Sequence, residues 1–127
     1  MQTNITGQTS MCTQEQAITI LGEVYNTCRS IFDCDITEAY LYGSYARGDF
    51  TKESDIDILL TVKADRSAIY EQRYLIASLS SDLSLKHNVT ISIIVKPHDE
   101  FVLYSDTLPF YTNILKEGIK YKADDAI

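Results

Sequence analysis

Two carboxylates, Asp55 and Asp57, open the apolar run "DIDILLTV", which ends at Val62. Ionised carboxylates are costly to bury unless something positive meets them. In a strand, side chains alternate faces, so Asp55 and Asp57 point the same way, with Cα atoms about 6.5 Å apart. Two carboxylates so placed can converge on one or two hard cations. Mg²⁺ suits this donor set: it takes one or two carboxylates, and phosphate oxygens and water complete the octahedron. Ten residues separate Asp55 from an upstream Gly43–Ser44 pair. A glycine after a strand lets backbone amides approach a phosphate closely. A serine opening a helical turn adds a hydroxyl and exposed N–H donors. Arg47, three residues on, brings a charge that can neutralise phosphate.

Each part alone has a plainer reading: Gly-Ser as a turn, Asp-x-Asp as a solvated strand edge or helix cap, Arg47 as a surface charge. The order makes the set specific: strand, Gly-Ser, ten residues, Asp-x-Asp, second apolar strand.

The elements that must position these residues are legible in outline. Thr13 with Gln16 fits a capping box, and Ala17, Leu21, Val24, Cys28 and Ile31 recur at helical spacing, which predicts a helix over 13–33. Residues 38–44 read as a short strand and 45–54 as a loop or single helical turn. Residues 55–62 are β-branched and apolar on both faces beyond their start, as in a central strand. Residues 66–87 carry a helical period, and 89–95, "VTISIIV", read as a strand that Pro97 stops. Two helical pieces follow, the second with Pro109 in its first turn and Gly118 at its C-cap. A short edge strand is expected over 119–121. The order α-β-β-α-β-α-β predicts an α/β (α+β two-layer) domain on a mixed sheet, with helices packed on one face.

The 127 residues suit one domain. A polar leader over 1–12, a single domain over 13–121 and a tail over 122–127 are expected. No apolar run is long enough for a membrane span, and residues 1–14 lack the basic and apolar regions of a secretory signal, so a cytoplasmic location is the expectation. The three cysteines, Cys12, Cys28 and Cys34, show no Cys-x-x-Cys spacing and read as incidental or buried thiols. The net charge is −7, with 11 Lys and Arg scattered among 18 Asp and Glu. That argues against long nucleic acid, whose phosphates require a basic stripe. A small phosphorylated substrate escorted by a metal ion stays open.

The stretch "GSYARGDFTKESDIDILL" resembles the signature of the DNA polymerase β-type nucleotidyltransferase superfamily in its minimal (MNT) form. Gly43, Ser44, Ala46, Arg47, Gly48, Ser54, Asp55 and Asp57 all fit that pattern. The later "FYTNILKEGIKY" resembles the C-terminal stretch of many minimal members, so the likeness spans roughly 38–121. It implies a palm-like core, a nucleoside triphosphate substrate (ATP) contacted through Gly43, Ser44, Arg47 and Ser54, and Mg²⁺ held by Asp55 and Asp57. It also implies attack on the α-phosphate with pyrophosphate leaving, in which positioning and charge neutralisation carry the catalysis.

The superfamily commonly has a third carboxylate on a neighbouring strand. The matching strand here is "VTISIIV", with Thr90 and Ser92 as its inward candidates, and Ser92 is the catalytic candidate at that place. A hydroxyl is a weak metal ligand and a poor base at neutral pH. The acceptor hydroxyl then needs little activation, or a partner chain supplies the group, or the domain binds without turnover. Asp99 and Glu100, past Pro97, are expected out of reach. His87 and His98 read as surface or capping residues. Tyr40, Tyr42, Tyr104 and Tyr111, among nine tyrosines, read as packing.

Minimal domains of this kind resemble the antitoxin of HEPN–MNT modules, in which the MNT protein adenylylates a tyrosine of a helical HEPN partner. The resemblance thus implies AMP transfer from ATP to such a tyrosine, with a homo- or hetero-oligomer open. A non-catalytic nucleotide- and partner-binding antitoxin, or a catalytic subunit modifying a small-molecule hydroxyl, are the competing functions.

Overall fold

The computed structural model describes residues 12–33 and 35–122. The expected leader and tail lie almost wholly outside them, as does Cys34. Thr13 starts α1 (Gln14–Ile31) as anticipated. Its Oγ1 accepts from the Gln16 N–H at 3.0 Å, while Gln16 Oε1 accepts from the Thr13 N–H at 2.7 Å. This reciprocal bonding satisfies two amides that a helix start leaves orphaned. α1 buries Ala17, Ile20, Leu21, Val24 and Cys28 along one stripe.

Four strands follow: β1 (Ile36–Tyr42), β2 (Ile56–Val62), β3 (Ile91–Pro97) and β4 (Ile119–Lys120). They lie in the order β3-β2-β1-β4. β1 is antiparallel to β2 and β4, whereas β3 runs parallel to β2. The short helix α2 (Ser44–Arg47) follows β1. α3 (Arg66–Glu71) and α4 (Arg73–His87) cross from β2 to β3, and α5 (His98–Tyr104) and α6 (Pro109–Glu117) lead to β4.

β2 is central and buried on both faces. Ile56, Ile58 and Leu60 pack with Leu41 beneath α1 and α4. Leu59, on the other side, packs with Tyr40, Phe101, Tyr111 and Ile114. The mixed sheet with the long helices α1 and α4 on one face matches the expectation. The second face is partly covered as well, because Phe101 of α5 and Tyr111 and Ile114 of α6 close over Tyr40 and Leu59. Thr61 is fully buried, but its hydroxyl meets Thr37 Oγ1 at 2.5 Å, and Thr37 Oγ1 lies 3.0 Å from His98 Nδ1. The buried polar group is therefore satisfied.

Several boundaries differ from expectation, and β1 runs over 36–42 rather than 38–44. The single helix over 66–87 is two helices, broken at Gln72. The Gln72 N–H donates to Ile69 O at 3.0 Å, a tightened i→i−3 turn, and α4 then restarts with the Ile76 N–H on Gln72 O. No Gly or Pro marks the break, so residue periodicity alone does not register it. β3 runs over 91–97 rather than 89–95. Asn88, at φ 55°, closes α4 in the left-handed region, and the Val89 N–H still bonds back to Ser84 O. Pro97 can end β3 because an end strand does not need every N–H. Among the described residues no helix is long and apolar enough to cross a membrane.

Glu23 ties α1 to α4. Its carboxylate takes the Lys86 ammonium at 2.6 Å and lies 2.9 Å from His87 Nε2. The hydrogen bond from Lys86 is the main reason its pKa falls below the usual carboxylate value, with burial opposing and His87 assisting. A folded pKa that is lowered contributes stability above the unfolded value near 4.3, lost as pH falls through the folded value. Glu23→Gln is expected to cost about 0.5–1 kcal/mol at pH 7, or ~3 °C in Tm. Thermal melts at pH 7 and pH 3 check this; a loss of equal size at both pH values would rule out the ionic tie.

Candidate active site

β2 carries Asp57 on its second residue, and Asp55 stands just before the strand. In the sheet register Asp57 sits between Tyr42 of β1 and Ser92 of β3. These three therefore form one row on the face shared with Tyr40, Leu59 and Ile94, since paired residues in neighbouring strands point to the same side. Ser92 lies beside Asp57, at the position where the third carboxylate was sought.

Gly43 joins the two halves of the motif. It caps α2 at φ +79°, a left-handed conformation that favours glycine. A Cβ built there would lie 2.5 Å from Asp57 Oδ2. The backbone that opens the Gly-Ser turn is thus in contact with the carboxylate that starts β2. Ser44 is the first residue of α2, where helical amides have no intrahelical acceptor.

α2 is short, and its place comes from elsewhere. The Gln14 side-chain amide donates to Tyr45 O at 2.9 Å and Ala46 O at 3.3 Å, tying α2 to the start of α1. Tyr45 is buried and stacks on Phe50 at 4.1 Å. Gly48, at φ +92°, ends the turn.

Ser54 closes the loop that delivers Asp55. Its Oγ accepts from the Thr51 N–H at 2.9 Å, and its own N–H donates to Thr51 O at 3.1 Å. Its hydroxyl shapes the turn. Arg47 is exposed and paired, with Nε 3.2 Å from Asp49 Oδ2 and Nη1 3.6 Å from Glu117 Oε1.

Burial, and then the nearby Asp55 charge, hold the Asp57 pKa above the usual carboxylate value, while Arg47 opposes weakly. Burial and then Asp57 push Tyr42 up to about 12. Two repelling carboxylates, one of them half-buried, form an all-oxygen donor set whose strain a divalent cation relieves, so the residues fit Mg²⁺. Among the described residues no group of three or more His, Cys, Asp or Glu comes together. Asp99 and Glu100 do not contribute: Pro97 pairs with Val62, at the far end of β2 from Asp57. Glu100 is occupied by Arg66 and by the Tyr111 hydroxyl, which donates at 2.5 Å.

Tyr42 is the neighbour that residue patterns missed. Its signal lay in the pairing: the residue before Gly-Ser falls opposite Asp57 once β1 and β2 run antiparallel. A groove of about 670 Å³ between β3 and α3–α4, reaching Asp55 and Ser92, was not legible either.

Comparison with known proteins agrees with this geometry. A nucleotidyltransferase domain model matches residues 21–121. A Methanocaldococcus jannaschii protein, provisionally named a protein adenylyltransferase, is 36% identical over 96 residues, which is 76% of this chain and 88% of that protein. A second from the same organism, with the same provisional name, is 35% identical over 63% of this chain and 79% of its own. In structure, a provisionally named nucleotidyltransferase from Sulfolobus solfataricus aligns with TM-score 0.58 at 21% identity, over 89% of this chain and 86% of that one. A toxin–antitoxin structure with AMP-PNP aligns with TM-score 0.51 at 19% identity, over 82% and 73%. With the family model covering most of the chain and Gly43 seated against Asp57 in the fold its relatives share, the chain belongs to the nucleotidyltransferase domain family.

Proposed function

We propose that the chain transfers AMP from ATP to the hydroxyl of a tyrosine on a HEPN-type helical partner, as the antitoxin of a two-component module. The contact of Gly43 with Asp57, beside Ser44, carries the nucleotide half of this reading: it sets phosphate-binding backbone against metal-binding carboxylates. The provisional names of the M. jannaschii relatives support a protein acceptor, and the toxin–antitoxin neighbour with AMP-PNP supports the kind of partner.

Gly43 and Ser44 hold the phosphates through amides and the Ser44 hydroxyl. Asp55 and Asp57 are the carboxylates that hold Mg²⁺, which when bound supplies positive charge against the triphosphate. Arg47 can leave Asp49 and Glu117 for a phosphate at small cost, because exposed ion pairs contribute only about 0–1 kcal/mol. The acceptor oxygen forms a bond to the α-phosphorus, the bond to the bridging oxygen breaks, pyrophosphate leaves and the hydroxyl proton passes to solvent. With Ser92 in place of a carboxylate, a tyrosine suits the site: a phenol ionises near pH 10 and needs less help from a base than an aliphatic alcohol.

Ser92 beside Asp57 also favours a second reading, an antitoxin that binds nucleotide and partner without turnover. Incubating the chain and its partner with labelled ATP and Mg²⁺ decides between them. AMP is expected on the partner, reduced at least ~100-fold by Asp55→Ala with Asp57→Ala and abolished by chelation. Absence of label with the native chain, or equal label with the variant, sinks the transfer reading.

Asp57 also predicts a trade of stability for function. Its carboxylate is held against burial and a like charge, so Asp57→Asn is expected to raise Tm without divalent metal while abolishing transfer. Added Mg²⁺ should stabilise the native chain and not the variant. A variant that melts lower than the native chain without metal would contradict the electrostatic account.

A further inference from the structure

β3 is an end strand, paired on one side with β2. Thr90 O accepts from the Ile56 N–H at 2.8 Å, so Thr90, Ser92, Ile94 and Lys96 turn their backbone groups toward β2. Ile91, Ile93 and Val95 turn theirs outward. α4 satisfies the first of these: Ser84 Oγ accepts from the Ile91 N–H at 2.9 Å, and the Ser80 hydroxyl donates to Ile91 O. The outward groups of Ile93 and Val95 have no partner among the described residues. Both residues line the groove between β3 and α3–α4, which also reaches Asp55 and Ser92. An open strand edge is a ready template for another chain, and native proteins generally cover such edges.

The groove differs in charge from the acidic chain around it. Arg73 and Lys96 line it; Arg73 forms no ion pair among the described residues, and Lys96 acts on the Glu100 carboxylate only as a more distant charge that helps lower its pKa. Arg73 is held in place: its guanidinium sits 3.7 Å over the Tyr70 ring and 4.5 Å from that of Tyr74, and Nη1 donates to Tyr70 O at 2.9 Å. Two copies of the chain paired edge to edge would bring the same two cations of each copy to one seam. An acidic occupant meets them with opposite charge.

We infer that this groove docks an extended, acidic polypeptide segment, which adds to β3 as a further strand through Ile93 and Val95. Ile69 and Ile76 offer apolar contacts to its alternate side chains. At about 3.3 Å per residue, a segment bonded at Ile93 needs only one or two more residues to bring a side chain beside Ser92 and Asp55. The groove is then the acceptor channel. That role rests on the proposed transfer, whereas the docking does not.

Fluorescence anisotropy on the full chain tests it, with labelled peptides of about eight residues bearing one tyrosine. The probes are an acidic peptide, its basic counterpart, and the acidic peptide with alternate amides N-methylated in each of the two registers. The acidic peptide is expected to bind at least about tenfold tighter than the basic one and to lose about tenfold on methylation in one register only. Val95→Pro removes an outward N–H and should cost a similar factor when read at a temperature where its melting curve shows it folded. Arg73→Ala with Lys96→Ala, which leaves the strand intact, should erase the preference for acidic over basic.

Equal binding of the acidic and basic peptides, or acidic binding that ignores methylation and both variants, overturns the inference. So does a dimer that Val95→Pro dissociates, since the edge then belongs to a second copy. Peptide binding without any transfer to a partner overturns the transfer reading and leaves the docking. Transfer that Val95→Pro does not slow overturns the acceptor channel and leaves the transfer.

Discussion

The close approach of the Gly43 backbone to the Asp57 carboxylate is the constraint around which the site is arranged. Ten residues of chain separate Ser44 from Asp55, yet a single Cβ at position 43 would collide with Asp57 Oδ2. Two separate demands fall on one residue. The turn into α2 requires positive φ, and the neighbouring strand requires empty space. Glycine alone meets both without strain. The result seats exposed amides and a half-buried carboxylate together, an arrangement that is poor for an empty site and good for one holding metal and phosphate.

The rest of the fold braces that contact. β2 is buried on both faces, so Asp57 is mounted on the most deeply buried strand. β1 ends at Tyr42 and hands the chain directly to Gly43, so the antiparallel register of β1 and β2 places the glycine by Asp57. α2 is too short to be stable alone. The Gln14 amide ties it to α1, and Tyr45 stacks on Phe50 of the following loop. Ser54, through its bond to Thr51, closes the intervening loop. Repulsion between Asp55 and Asp57 is tolerated because the core around Ile56, Ile58 and Leu60 stabilises the strand independently of the charges.

The two sides of the Asp57 row differ in character. Toward β1 the row meets Tyr42, which packs edge-on against Phe110 of α6 at 5.4 Å and is walled in. Toward β3 it meets Ser92 and then an open edge. A row walled in on the β1 side and open on the β3 side leaves β3 as the side from which another group can reach Asp57. The serine residues of α4 bond only the first outward position of β3 and leave the backbone groups of the next two without a partner among the described residues.

Much of this was legible in the order of residues. The Gly-Ser and Asp-x-Asp pairs, the apolar run after them and the capping box at Thr13 are local signals, each set by a few neighbouring side chains, and local physics is what a sequence states directly. The break at Gln72 was not legible, because it is a tightened turn without Gly or Pro. Ser92, on one flank of Asp57, was already the candidate for the third-carboxylate position, but strand register was beyond reach, and with it Tyr42 as the other flank. The same holds for the second helical layer over Tyr40 and Leu59, and for the unpaired groups of Ile93 and Val95. By itself the sequence determined which residues could bind metal and phosphate, because their type and spacing limit the chemistry. Only the tertiary structure decided which of them touch, which flank is walled and which edge is open. Those outcomes depend on pairing between segments far apart in the chain, whose energy no local pattern contains.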